Sequence, residues 1–100
     1  MNNFISVVIP TSCRPIDILN HAVQSVEEQS LPAHEIIIVD DNSDGKLSQN
    51  IILYCQEKNL IYTKSDNVGA AAARNVGIAV AKGAYIAFLD DDCFLQPLNT

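Results

Sequence analysis

Four short apolar runs alternate along the chain with stretches whose apolar residues recur every three or four positions. Ile5-Ser6-Val7-Val8-Ile9-Pro10 is rich in β-branched residues and ends at a proline, which predicts a strand. A helix is expected from Pro15 or Asp17 to about Gln29, with Ile18, Leu19, Ala22, Val23 and Val26 forming one buried stripe. Glu35-Ile36-Ile37-Ile38-Val39 is a continuous apolar run, as a strand covered on both faces requires. The turn-rich Asp40-Asp41-Asn42-Ser43-Asp44-Gly45 follows it. A second helix is expected over 46–58, with Leu47, Ile51, Ile52, Leu53 and Cys55 on a mixed face. Leu60 to Thr63 reads as a short strand and Asp66-Asn67-Val68-Gly69 as a loop. An alanine-rich helix is expected from Ala70 to about Lys82, and Tyr85 to Leu89 is the fourth strand.

Strict alternation of strands and helices predicts parallel strands joined by right-handed crossovers. The expected fold class is α/β: an open, doubly wound, Rossmann-like parallel sheet of about four strands, order 3-2-1-4, with helices on both faces. All strand C-terminal ends then lie along one edge, where ligands of such sheets bind. Thr11, Asp40 and Asp41, Ser65 and Asp66, and Asp90 to Asp92 each follow a strand and are expected on that rim.

Six of the twelve Asp and Glu residues belong to this group, too many for packing to explain. In Asp90-Asp91-Asp92 three adjacent carboxylates repel one another, so a cation must offset them or protons must stay bound. Oxygen-only ligands favour a hard ion, Mg²⁺ or Mn²⁺. Taken alone, the triplet reads equally well as a solvated acidic turn. With the other acids on the rim, it points to a nucleoside diphosphate bridged by a divalent ion, the base and ribose donating hydrogen bonds to carboxylates.

At 100 residues and 48% apolar content the chain is one small domain with enough material for a core. The net charge of −6 argues against a nucleic-acid partner. Three cysteines without regular spacing form no disulfide framework, and Met1-Asn2-Asn3-Phe4 begins no signal peptide. These features predict a cytoplasmic location, with peripheral attachment at the inner face of the membrane left open. There is no GxxxxGK[ST] and no GxGxxG after the first strand, which disfavours a P-loop ATPase and a dinucleotide dehydrogenase.

Four segments, in order and at matching spacings, resemble the N-terminal half of a family 2 glycosyltransferase of the GT-A fold. They are Val7-Val8-Ile9-Pro10-Thr11; Ile37-Ile38-Val39-Asp40-Asp41-Asn42-Ser43; Asn67-Val68-Gly69 with Ala73-Arg74-Asn75-Val76-Gly77; and Gly83 to Asp92. The resemblance implies a nucleotide-sugar donor of the UDP- or GDP-sugar class, a DxD motif binding Mn²⁺ or Mg²⁺, and transfer to a sugar or lipid-linked acceptor hydroxyl with inversion. Carried over by position, Pro10 and Thr11 line the nucleotide pocket, and Asp41 accepts the base N–H with Asp40 beside it. Asp92 binds the metal, Asp90 or Asp91 faces the ribose, and Arg74 lies near the pocket. The chain departs from the family at Cys13-Arg14, where an aromatic residue and Asn are common, so Arg14 is a candidate phosphate contact only. The family's catalytic base and acceptor site lie in its second half, so the base is expected beyond Thr100 and none is assigned within the chain. The chain is therefore expected to be the donor-binding portion of a longer protein, inactive alone, and prone to self-association at an uncovered sheet edge.

Each of these residues also has a plainer reading. Asp-Asn-Ser commonly caps a following helix. Arg74 can be an ordinary surface arginine. Gly69 and Gly77 can serve close helix packing, the cysteines can be inert thiols, and His21 and His34 can be surface residues. Two alternatives from other classes remain: a receiver-type phospho-acceptor domain, whose acidic pair Asp40-Asp41 resembles but which places that pair after the first strand, and a nucleotide-binding module without catalysis.

Overall fold

β-branched runs too short for helices and covered on both sides form the central sheet, and the amphipathic stretches between them become its two outer layers. The computed structural model describes residues 4–11, 16–28, 35–41, 45–66 and 69–89. They form β1 (Ile5–Thr11), α1 (Ile16–Glu27), β2 (Glu35–Asp41), α2 (Gly45–Lys58), β3 (Ile61–Ser65), α3 (Ala70–Val80) and β4 (Tyr85–Phe88). The four strands are parallel, in the order β3-β2-β1-β4. This is the open α/β sheet and the strand order that the alternating pattern predicts.

Alternation along the strands sorts the core into two layers. Val7 and Ile9 of β1 and Ile36 and Ile38 of β2 pack with Leu19, Ala22, Val23 and Val26 of α1 and with Ile51 and Cys55 of α2. Val8, Ile37 and Val39 face the other way, against Ala73, Val76 and Val80 of α3. The close seat of α3 depends on Gly77: a Cβ there would stand 2.4 Å from Val8 Cγ1 and 3.2 Å from Val39 Cγ2.

Several boundaries differ from expectation. β2 and β3 both run two residues further, because Asp40 pairs with Lys64 and Asp41 with Ser65 in the ladder, and both carboxylates find donors that let them stay in a strand. α3 stops at Val80 rather than Lys82, with Ala81 extended at φ −67, ψ 141. There the chain is drawn to the opposite sheet edge: the Lys82 amide donates to Glu35 Oε2 (2.7 Å) and the Gly83 amide to Ser6 Oγ (2.9 Å). On α2 the inward face is partly polar. Ser48 is buried with Ile51 and Cys55, while Leu53 is 55% exposed.

Among the described residues β4 pairs only with β1. Its Tyr85 and Phe88 are exposed. No helix of the described residues is long and apolar enough to cross a membrane.

Candidate functional site

Parallel order brings the C-terminal ends of all four strands to one edge. There β1 ends in Thr11, β2 in Asp41 and β3 in Ser65, and all three are buried. Leu89, just past β4, donates its amide to Val8 O at 3.1 Å. Asp66 is exposed beside Ser65.

The centre of the edge is the Asp41 carboxylate. Ser65 Oγ donates to its Oδ1 at 2.8 Å, and the Gly69 amide donates to its Oδ2 at 3.1 Å. Gly69 is the N-cap of α3 and adopts φ 88, the left-handed region that favours glycine. A Cβ at Gly69 would meet nothing within 4 Å, so backbone conformation and not close packing calls for glycine. Having no side chain, Gly69 cannot cap its own helix. Asp41 instead brings a negative charge from β2 to the positive end of the α3 dipole. One carboxylate thus ties β2, β3 and α3 together at the strand-end edge.

Asp40 was expected beside Asp41, and its side chain takes the opposite face of the sheet. Asp40 is fully buried on the α1–α2 side of the sheet, where Ser48 Oγ and Tyr62 OH both donate to its Oδ2 at 2.7 Å. The cause is strand alternation: once β2 extends to Asp41, adjacent side chains must leave by opposite faces. Burial, reinforced by the hydrogen bond to Asp40, pushes the Tyr62 hydroxyl up to about 12. Burial and the nearby Asp40 carboxylate push the Cys55 thiol up to about 11. Both groups are protonated at neutral pH, and Cys55 is a buried free thiol, not a nucleophile.

The remaining expected residues are spread around this edge. Pro10 is buried and shares the α3 side with Val8, the side Asp41 faces, whereas alternation puts Thr11 on the side of Asp40. Arg74 is half-buried in the second turn of α3. Arg14, Asp90, Asp91 and Asp92 lie outside the described residues, as do Cys13, Cys93 and His34. Thr100 lies outside them too, and so does the catalytic base expected beyond Thr100. His21 is exposed. Among the described residues no group of three His, Cys, Asp or Glu could hold a metal ion.

Ser48, Tyr62 and the Asp41-binding role of Gly69 are invisible to motif reading. Ser65 was legible as a rim residue, and its partnership with Asp41 follows only from the β2–β3 register.

Residues 6–99 match the sequence model of the family described as Glycosyl transferase family 2. The chain belongs to that family. A family 2 glycosyltransferase chain is what the acid-bearing strand ends and the four segments led one to expect, and the match sets the receiver-domain alternative aside. Similar curated proteins include an uncharacterized glycosyltransferase of Rickettsia felis, 40% identical over 91 residues, covering 88% of this chain and 14% of that protein. Another, from Methanocaldococcus jannaschii, is 35% identical over 96 residues, covering 93% of this chain and 33% of that protein. The chain therefore spans a third or less of the length of these relatives.

Solved structures agree on the fold. Residues 1–349 of S. aureus TarS superimpose with a TM-score of 0.74 at 26% identity, covering 93% of this chain and 28% of that one. The same TarS portion in complex with UDP-GlcNAc gives a TM-score of 0.71 at 27% identity, covering 89% and 26%.

Proposed function

We propose that residues 1–100 form the donor-binding portion of a GT-A glycosyltransferase, holding a nucleoside diphosphate sugar for transfer to a sugar or lipid-linked acceptor hydroxyl. The observation that carries this reading is the Asp41 carboxylate, held by Ser65 and Gly69 at the strand-end edge of a family 2 sheet. The relative TarS, whose complex holds UDP-GlcNAc, supports a UDP-sugar as the donor.

In this reading Asp41 accepts a ring N–H of the base, Pro10 lines the pocket on the same side of the sheet, and Arg74 borders it. Thr11 also lines the pocket, and Arg14 is the candidate phosphate contact. Asp40 holds the end of β2 from behind and does not touch the ligand. The carboxylate that deprotonates the acceptor belongs to the acceptor half, beyond Thr100.

Asp90-Asp91-Asp92 offers only carboxylate oxygens, a donor set that fits Mg²⁺ or Mn²⁺. Asp92 would hold the ion and Asp90 or Asp91 the ribose. Such an ion, when bound, neutralises charge on the departing diphosphate. Peripheral membrane attachment at a lipid-linked acceptor fits the same reading.

Calorimetry with UDP and GDP, with and without Mn²⁺ or Mg²⁺, tests the proposal. Metal-dependent binding that Asp92→Ala abolishes is expected. Metal-independent binding that survives Asp92→Ala would remove the metal role from the triplet, and failure of every nucleotide to bind would remove the donor-site reading.

A further inference from the structure

We propose that Ser65 is a positioning residue: it fixes the Asp41 carboxylate so that this group can discriminate nucleobases by their ring N–H. The proposal rests on the donor-binding reading above and names a residue that the family motifs leave out.

The two adjacent acids of β2 provide an internal comparison. Each accepts a hydrogen bond from a buried serine, Asp40 from Ser48 at 2.7 Å and Asp41 from Ser65 at 2.8 Å. The first pair lies beneath α2, within the apolar layer. The second lies at the strand ends, where Ser65 is the last residue of β3 and the direct register partner of Asp41. Ser65 holds Oδ1 while Gly69 holds Oδ2, so the carboxylate plane is set by donors on both oxygens. A carboxylate has acceptor capacity for about four hydrogen bonds, so a base N–H can be accepted alongside such donors.

An ionised carboxylate only accepts. Uracil at N3 and guanine at N1 each present a ring N–H, whereas cytosine presents a lone pair at N3. A carboxylate in a fixed plane therefore favours uracil or guanine over cytosine, and a carboxylate free to rotate discriminates less, because it can turn away from the mismatched lone pair. Without Ser65, Oδ1 loses its serine donor, and the carboxylate plane is held less tightly.

The test compares the unaltered chain with Ser65→Ala and Ser48→Ala. The affinity of UDP or GDP, whichever binds the unaltered chain more tightly, is measured against that of CDP by calorimetry in the presence of Mn²⁺. Ser65→Ala is expected to lower this ratio about tenfold, the scale of one hydrogen bond to a charged group. Ser48→Ala, which removes an equivalent bond on the other face, leaves the ratio unchanged. Equal weakening of all nucleotides by Ser65→Ala, or an equal loss of ratio in Ser48→Ala, overturns the proposal. A ligand-free measurement separates it from the donor-site reading. The Gly69 amide resonance is expected to move in Ser65→Ala and not in Ser48→Ala. An unmoved Gly69 resonance overturns the positioning role whether or not any nucleotide binds, whereas a moved resonance with no nucleotide binding keeps the clamp and removes its ligand.

Discussion

Asp40 and Asp41 are joined by one peptide bond, yet their carboxylates leave β2 by opposite faces. Asp40 is held by Ser48 and Tyr62 beneath α2, and Asp41 by Ser65 and the Gly69 amide at the start of α3. The pair thus ties one strand end to both helical layers, Asp40 toward α2 and Asp41 toward α3.

The two acids are therefore expected to separate in mutagenesis. Asp40→Ala strands two donors in a buried place and should cost about 2–3 kcal/mol of stability. The folded fraction should still bind nucleotide. Asp41→Asn replaces an acceptor with a group that is half donor, and should weaken UDP binding at least tenfold, the scale of one charge-assisted hydrogen bond. Urea unfolding and calorimetry on both variants check the division, and loss of affinity in the folded Asp40 variant would contradict it.

Gly77→Ala is a test of the α3 seat. The added Cβ would fall 2.4 Å from Val8 Cγ1, closer than real contacts allow. Overpacking of this kind costs about 1–3 kcal/mol. Thermal unfolding should show the loss, and Gly77→Ala combined with Val8→Ala should recover part of it. An unchanged melting temperature in the single variant would mean that α3 has room to move away from β1 at no cost.

Stability should fall on the alkaline side. Burial is the first cause of each shift: Cys55 rises from 9.0 to about 11, Tyr62 from 10.0 to about 12, and Tyr54, also facing Glu27, from 10.0 to about 12. Between the ordinary and the raised values the folded chain keeps protons that the unfolded chain has released. The contribution of these groups is thus fully present below about pH 9 and is lost as the pH rises toward 12. Urea midpoints across that window, with Tyr62→Phe giving a shallower decline, are the measurement. A flat profile would show that the three groups titrate alike in both states.

At the β4 edge, Tyr85 is 59% and Phe88 44% exposed. An apolar strand at a sheet edge favours pairing with another chain. Light scattering on residues 1–100 should report a mass that rises with concentration, and Phe88→Lys should shift the chain toward monomer. A constant monomer mass at high concentration would refute the edge contact.

Much of this fold was legible from period alone. Four runs with β-branched residues and three stretches at helical spacing marked the elements, and their alternation implied the parallel order seen in the sheet. Legibility failed where polar residues continued an element. Asp40 and Asp41 read as turn residues because carboxylates are disfavoured in strands, and donors from α2, β3 and α3 reversed that preference. Gly69 read as a packing glycine, and its positive φ and its bond to Asp41 emerged only with the backbone.

The sequence by itself determined the family and the strand order, because hydrophobic period and motif spacing are local properties written along the chain. Only the tertiary structure decided which acid faces α3 and what holds it there. The donors to Asp41 lie 24 and 28 residues away, on other elements. Their meeting depends on strand register and on the face each side chain takes, and a slip of one residue would exchange the two carboxylates.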